Sequence, residues 1–120
     1  MQHNVRSIRP FIGAKDFKVS KSFYRDLGFE ERIISADMSG FRIGEHTFYL
    51  QNADIKDRTD NTTVFLEVGD VNHYWNELKA LNLPDKYPDV KLTPIRIYDW
   101  GKECFLHDPS GVLWHFGEFN

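Results

Sequence analysis

One order of elements, a strand, a helix and three strands, is written twice in this 120-residue chain. That doubling limits the fold more than any single motif, because each half must bury its helix on one face of its own sheet. In the first half, residues 5–12 alternate, with Ile8, Pro10 and Ile12 on one face and Arg9 and Phe11 on the other. Pro10 lacks a ladder donor, which assigns the strand to a sheet edge or a weak pairing. Asp16 stands where a helix N-cap belongs, and Phe17, Ser20, Phe23, Tyr24 and Leu27 recur at helical spacing up to Gly28, a left-handed stop. Strands at 30–35, 39–43 and 46–51 follow, the last two joined by the tight turn Gly44-Glu45. The polar run 52–61 reads as a linker loop.

The order then repeats. A strand at 62–68 leads to Asp70, a second N-cap, and to a helix over 71–81 with the stripe Val71, Tyr74, Trp75, Leu78 and Leu81. Residues 82–90 read as a Pro-bearing loop, and strands at 91–98, 102–107 and 112–119 complete the half. Asp108-Pro109-Ser110-Gly111 has the residues of a type I turn. Asp16 superposes on Asp70, Phe17 on Val71, Tyr24 on Leu78 and Leu27 on Leu81. The expected fold is α+β: one domain of two βαβββ modules, 1–53 and 61–120, whose curved mixed sheets surround a cavity. Each sheet leaves one face without a helix, for a partner subunit to complete.

Composition narrows the function. Aromatic residues at 15% exclude a disordered chain, and no apolar run is long enough to span a bilayer. The N-terminal residues carry no apolar signal core, and the single cysteine, Cys104, excludes an intrachain disulfide framework. A cytoplasmic protein is expected. The net charge of −3, with Lys and Arg scattered, gives no field for nucleic acid.

Alternation places Ile8, Pro10, Ile12, Val64, Leu66, Val68, Trp114 and Phe116 against the helices. The opposite faces carry Arg9, Phe11, Thr63, Phe65, Glu67, Leu113 and His115, an apolar and aromatic set with a few polar groups, which is the composition of a small-molecule pocket. Arg9 either forks two hydrogen bonds to a ligand oxygen or pairs with Glu67. His115 either exchanges a proton or hydrogen bond with a ligand or is satisfied by backbone. Of Phe48 and Tyr49, one faces inward and one outward. Cys104 reads as an inert packed thiol.

The run Trp100-Gly101-Lys102-Glu103-Cys104-Phe105-Leu106-His107-Asp108-Pro109-Ser110-Gly111, with Trp114-His115-Phe116 beyond it, resembles the C-terminal signature of bleomycin-resistance proteins. Phe23-Tyr24-Arg25-Asp26-Leu27-Gly28-Phe29 resembles their opening module, and Asp60-Asn61-Thr62 into Trp75-Asn76-Glu77 their second. These proteins belong to the vicinal-oxygen-chelate superfamily, with glyoxalase I and ring-cleaving dioxygenases. The resemblance implies paired βαβββ modules, a homodimer, and ligand grooves where modules meet. It implies that Trp100 walls a flat part of the ligand; the alternative is that it covers the sheet end or the dimer seam. The position of the family's facing ring falls at Met38, which can contact an aromatic ligand but does not complete a two-ring sandwich.

Metal-dependent members carry ligands on four inner strands. The corresponding positions are Arg9, Tyr49 (or its neighbours Leu50 and Gln51), Thr63 and His115. Arg9 cannot ligate and Thr63 is a poor ligand, so His115 stands alone unless register turns Gln51 or Glu67 inward. No metal and no other cofactor is expected. The resulting reading is a non-catalytic protein that sequesters a partly aromatic small molecule, with ligand contacts from Arg9, Phe11, Met38, Thr63, Phe65, Trp100 and His115. Two alternatives are a metal-dependent lyase, isomerase, transferase or dioxygenase of the same superfamily, and a protein-interaction module. A net charge of −3 gives little long-range pull on a cationic drug such as bleomycin itself.

Overall fold

The computed structural model describes residues 1–53 and 61–120. Most of the expected linker, residues 54–60, therefore lies outside the described residues. In chain order the elements are β1 (Phe11–Ala14), α1 (Phe17–Asp26), β2 (Glu30–Ser35), β3 (Met38–Ile43), β4 (His46–Asn52), β5 (Thr63–Glu67), α2 (Val71–Ala80), a short α3 (Leu83–Lys86), β6 (Lys91–Tyr98), β7 (Gly101–His107) and β8 (Leu113–Phe119). They build two four-stranded mixed sheets with matching topology: sheet A in the order β1-β4-β3-β2 and sheet B in the order β5-β8-β7-β6. In each sheet the first strand runs parallel to the last strand of its half, and the other pairs are antiparallel.

Local chemistry explains the helix ends. The Asp16 carboxylate accepts from the Val19 N–H at 3.1 Å, and the Asp70 carboxylate accepts from the His73 N–H at 3.0 Å, the same N-cap in both halves. Helix α1 ends in a Schellman arrangement. The Phe29 N–H donates to the Tyr24 carbonyl, the Gly28 N–H donates to the Arg25 carbonyl, and Gly28 adopts φ 97°. The rings of Phe29 and Tyr24 stack across this cap at 6.0 Å.

Two expectations need correction. The first strand spans Phe11–Ala14 and not 5–12; its phase is kept, with Ile12 and Ala14 buried, but Ile8 and Pro10 are exposed and belong to no core. The cause is Pro10. Its carbonyl accepts from the Tyr49 N–H, yet it has no N–H to extend the parallel ladder toward Thr47, so pairing stops there. Residues 82–90 contain the helical turn α3, entered through Asn82 at φ 53° and tolerant of Pro84 at its start.

The helix-covered faces of both sheets meet in one core. Trp114, Phe116, Phe48, Phe41, Phe29, Phe23 and Tyr24 belong to a single buried cluster. Trp114 of sheet B lies 5.4 Å from Phe48 of sheet A, centroid to centroid. A polar pin accompanies this contact. The Tyr24 hydroxyl accepts from the Trp114 indole at 3.0 Å and donates to Asp108 at 2.6 Å. Asp108 also accepts from the Ser110 and Val112 N–H groups, and the Gly111 N–H closes the expected turn onto the Asp108 carbonyl. Burial pushes the Asp108 carboxyl up, and these donors partly offset it. One buried cluster thus joins the two halves.

Candidate functional site

Cross-strand register decides which side chains share an uncovered face. On sheet B, Phe65, His115, Phe105 and Thr93 stand in one row, and Glu67, Gly117, Glu103 and Arg96 in the next. Beyond them, Phe119, Gly101 and Tyr98 form the row that ends at the β6–β7 turn. Trp100 occupies that turn. Its carbonyl accepts from the Asn120 N–H, the Asn120 amide donates to the Asp99 carbonyl, and Gly101 is required because a Cβ there would overlap the Glu118 carbonyl oxygen.

The rings around Trp100 form a connected platform. Tyr98 stacks on it at 5.4 Å and 7°, Phe119 lies 5.3 Å away, and Phe65 meets its edge at 6.1 Å. Phe65 also leans over Gly117, whose missing side chain leaves the room it fills. All four rings are substantially exposed, between 38% and 52%, which is unusual for rings of this size packed together on a sheet.

Beside the platform, Nδ1 of His115 lies 3.2 Å from a carboxylate oxygen of Glu103. The imidazole is held between Phe65 at 6.3 Å and Phe105 at 5.1 Å, and Arg96 sits over the outer face of Phe105 at 5.6 Å. Glu103 is 7% exposed, so its carboxylate is withdrawn from solvent with His115 as partner.

Sheet A presents a different surface. Arg9 donates to the Tyr49 hydroxyl at 2.8 Å and lies over its ring, and Phe11 packs on the same ring at 5.2 Å. Arg9 thus bonds Tyr49 and not Glu67, the partner weighed for it from sequence. Arg32, Arg42, Glu30, Glu45 and Thr47 extend this face into a polar recess of about 330 Å³. Met38 pairs with Gln51 at the same face, whereas Phe48 is in the core, which settles the Phe48/Tyr49 alternation.

The anticipated contact residues therefore fall on two surfaces. Arg9, Phe11 and Met38 lie on sheet A; Thr63, Phe65, Trp100 and His115 lie on sheet B. Sequence reasoning missed Tyr98, Phe119, Glu103, Phe105 and Arg96. The alternation that exposed Leu113 and His115 also exposes Phe119, so that residue was within reach; Tyr98, Arg96 and Glu103 join the site through register alone.

The donor set does not suit a metal ion. Among the described residues no three His, Cys, Asp or Glu side chains converge. Cys104 is buried and its thiol is pushed up to about 11, chiefly by desolvation, so it offers no thiolate.

No protein-family model matches the chain, and no curated protein matches it. Solved structures do. The bleomycin-binding protein of Streptomyces verticillus, solved with copper(II)-bleomycin, superposes with a TM-score of 0.82 at 24% identity, covering 99% of this chain and 100% of that one. An antibiotic-binding protein from a Streptomyces species gives 0.77 at 13% identity over 99% and 100%. Lactoylglutathione lyase from Agrobacterium tumefaciens gives 0.73 at 16% over 97% and 96%. The fold is the glyoxalase/bleomycin-resistance fold of two βαβββ modules. Binding proteins and enzymes share it, so function has to be argued from the site.

Proposed function

We propose that this protein is a non-catalytic binding protein of the cytoplasm that sequesters a partly aromatic small molecule in a groove between two protomers of a homodimer. The platform of sheet B from one protomer forms the apolar wall, and the Arg9, Phe11, Met38 and Tyr49 surface of sheet A from its partner forms the polar wall. The observation that carries this reading is the cluster of Tyr98, Trp100, Phe119 and Phe65, four half-exposed rings on a face that no helix covers. Such rings supply flat contact area at low entropic cost. The bleomycin-binding structure and the antibiotic-binding structure of the same fold support a sequestering role. The donor set gives the metalloenzyme alternative no support, and elemental analysis of untagged protein checks it: about one ion per chain, lost in His115→Ala, would restore it.

The test is calorimetric titration with a fused-ring aromatic probe, the methyl ether of β-naphthol. Trp100→Ala should weaken binding by roughly 2 kcal/mol or more, the scale of an interface hot spot. Unchanged affinity in that variant would remove the platform from the site.

A further inference from the structure

Among the described residues, the one buried side-chain polar atom without a partner is Nδ1 of His107. His115 bonds through Nδ1 alone, and its side chain is about a quarter exposed (26%) beside the platform. Its ring cannot turn freely. Phe65 and Phe105 flank it, and Nδ1 is tied to Glu103. A carboxylate only accepts, so Nδ1 carries the hydrogen of that bond, and whenever the ring is neutral its free lone pair is on Nε2.

We infer that Glu103 makes His115 a hydrogen-bond acceptor for the ligand, and that the ligand is a planar aromatic bearing a hydroxyl or ring N–H donor next to the stacked ring. The inference rests on the binding function proposed above and specifies its ligand class. The rows on either side carry Glu67 and Glu103 against Arg96 and Lys91, so no excess of positive charge calls for an anion. Glu103 is a positioning residue. It touches no ligand and acts by fixing the tautomer of His115.

The experiment compares β-naphthol with its methyl ether by calorimetric titration of the intact protein. The ether is the more apolar of the two, so stacking and burial alone favour it; a preference for the naphthol isolates the donor. Wild type should prefer β-naphthol by roughly tenfold, the scale of one hydrogen bond whose partner would otherwise be left unpaired. His115→Phe keeps a flanking ring and removes the acceptor, and the preference should vanish. Glu103→Leu should reduce the preference while leaving affinity for the ether in place. Ring-nitrogen chemical shifts of His115 should report the Nδ1–H tautomer in wild type and its loss in Glu103→Leu, a change that a merely packed Glu103 would not produce. Equal binding of the two probes by wild type would overturn the acceptor role and leave the stacking platform standing. Binding of neither would overturn both.

Discussion

Two tryptophans, one in a turn and one on a strand, have opposite duties. Trp114 is 1% exposed, touches rings from both halves and donates to Tyr24; Trp100 is 38% exposed at a turn. Trp114→Ala should cost about 3–5 kcal/mol of stability, as a large core deletion that also removes the indole bond to Tyr24. Trp100→Ala should cost far less, and thermal melts of the two variants make the comparison. Glu31 sets a pH dependence. Burial raises its carboxyl, but hydrogen bonds from Ser39 and Arg25 and the charges of Arg25 and Lys21 outweigh it, so the folded value lies below the ordinary 4.5. The stability it contributes is present above that ordinary value and is lost as pH falls through the lower folded one. Asp108, raised above 3.8, works in the opposite sense: its contribution is fullest below 3.8 and is lost as pH rises through its folded value. The clean measurement is therefore a difference. Denaturation midpoints of wild type and Glu31→Gln should stand apart at neutral pH and converge on acidification.

At the scale of elements, the two N-caps offer an additive test. Asp16→Ala and Asp70→Ala should each cost about 1 kcal/mol, and the double variant their sum within about 0.5 kcal/mol, because the caps share no partner. Urea titration of the three variants reads this directly. These caps were legible in the sequence, as were both long helices and the β6–β8 strands, because each depends on a local pattern: an Asp before an apolar stripe, or a run of alternation. What was not legible depended on pairing. Alternation carries Pro10 into the strand, and its missing N–H ends the ladder only because β4 lies beside it. Alternation alone puts Arg9 on a face with Glu67, whereas its bond goes to Tyr49, the ladder partner of Phe11 two residues on. Glu103 reads from sequence as one more acidic strand residue; only the alignment of β7 with β8 puts it beside His115.

The whole molecule is two sheets sharing one interior, with an aromatic surface on sheet B and an arginine-bearing surface on sheet A. Phe11 at 47%, Phe65 at 44% and Phe119 at 52% exposure leave apolar area in water on both sides. The proposed homodimer covers both at once, since a twofold axis sets the sheet A surface of each protomer against the sheet B surface of its partner. Sedimentation at micromolar concentration should give about twice the chain mass, and Phe65→Glu should shift the boundary toward the monomer. A wild-type monomer under those conditions would sink the shared groove.

The placement of the tryptophans has one more consequence. Trp114 is sealed in the core, Trp100 stands half in water on the platform, and Trp75 lies partly buried on α2 with the Lys79 ammonium 5.5 Å over its ring. One chain thus carries its own set of optical reporters. Emission from the sealed indole is shifted to the blue and shielded from collisional quenchers, and it follows unfolding. Emission from the platform indole lies to the red, is open to quenching, and follows occupancy of the groove. A single unlabelled sample, read with and without acrylamide, separates a substitution that empties the groove from one that loosens the interior.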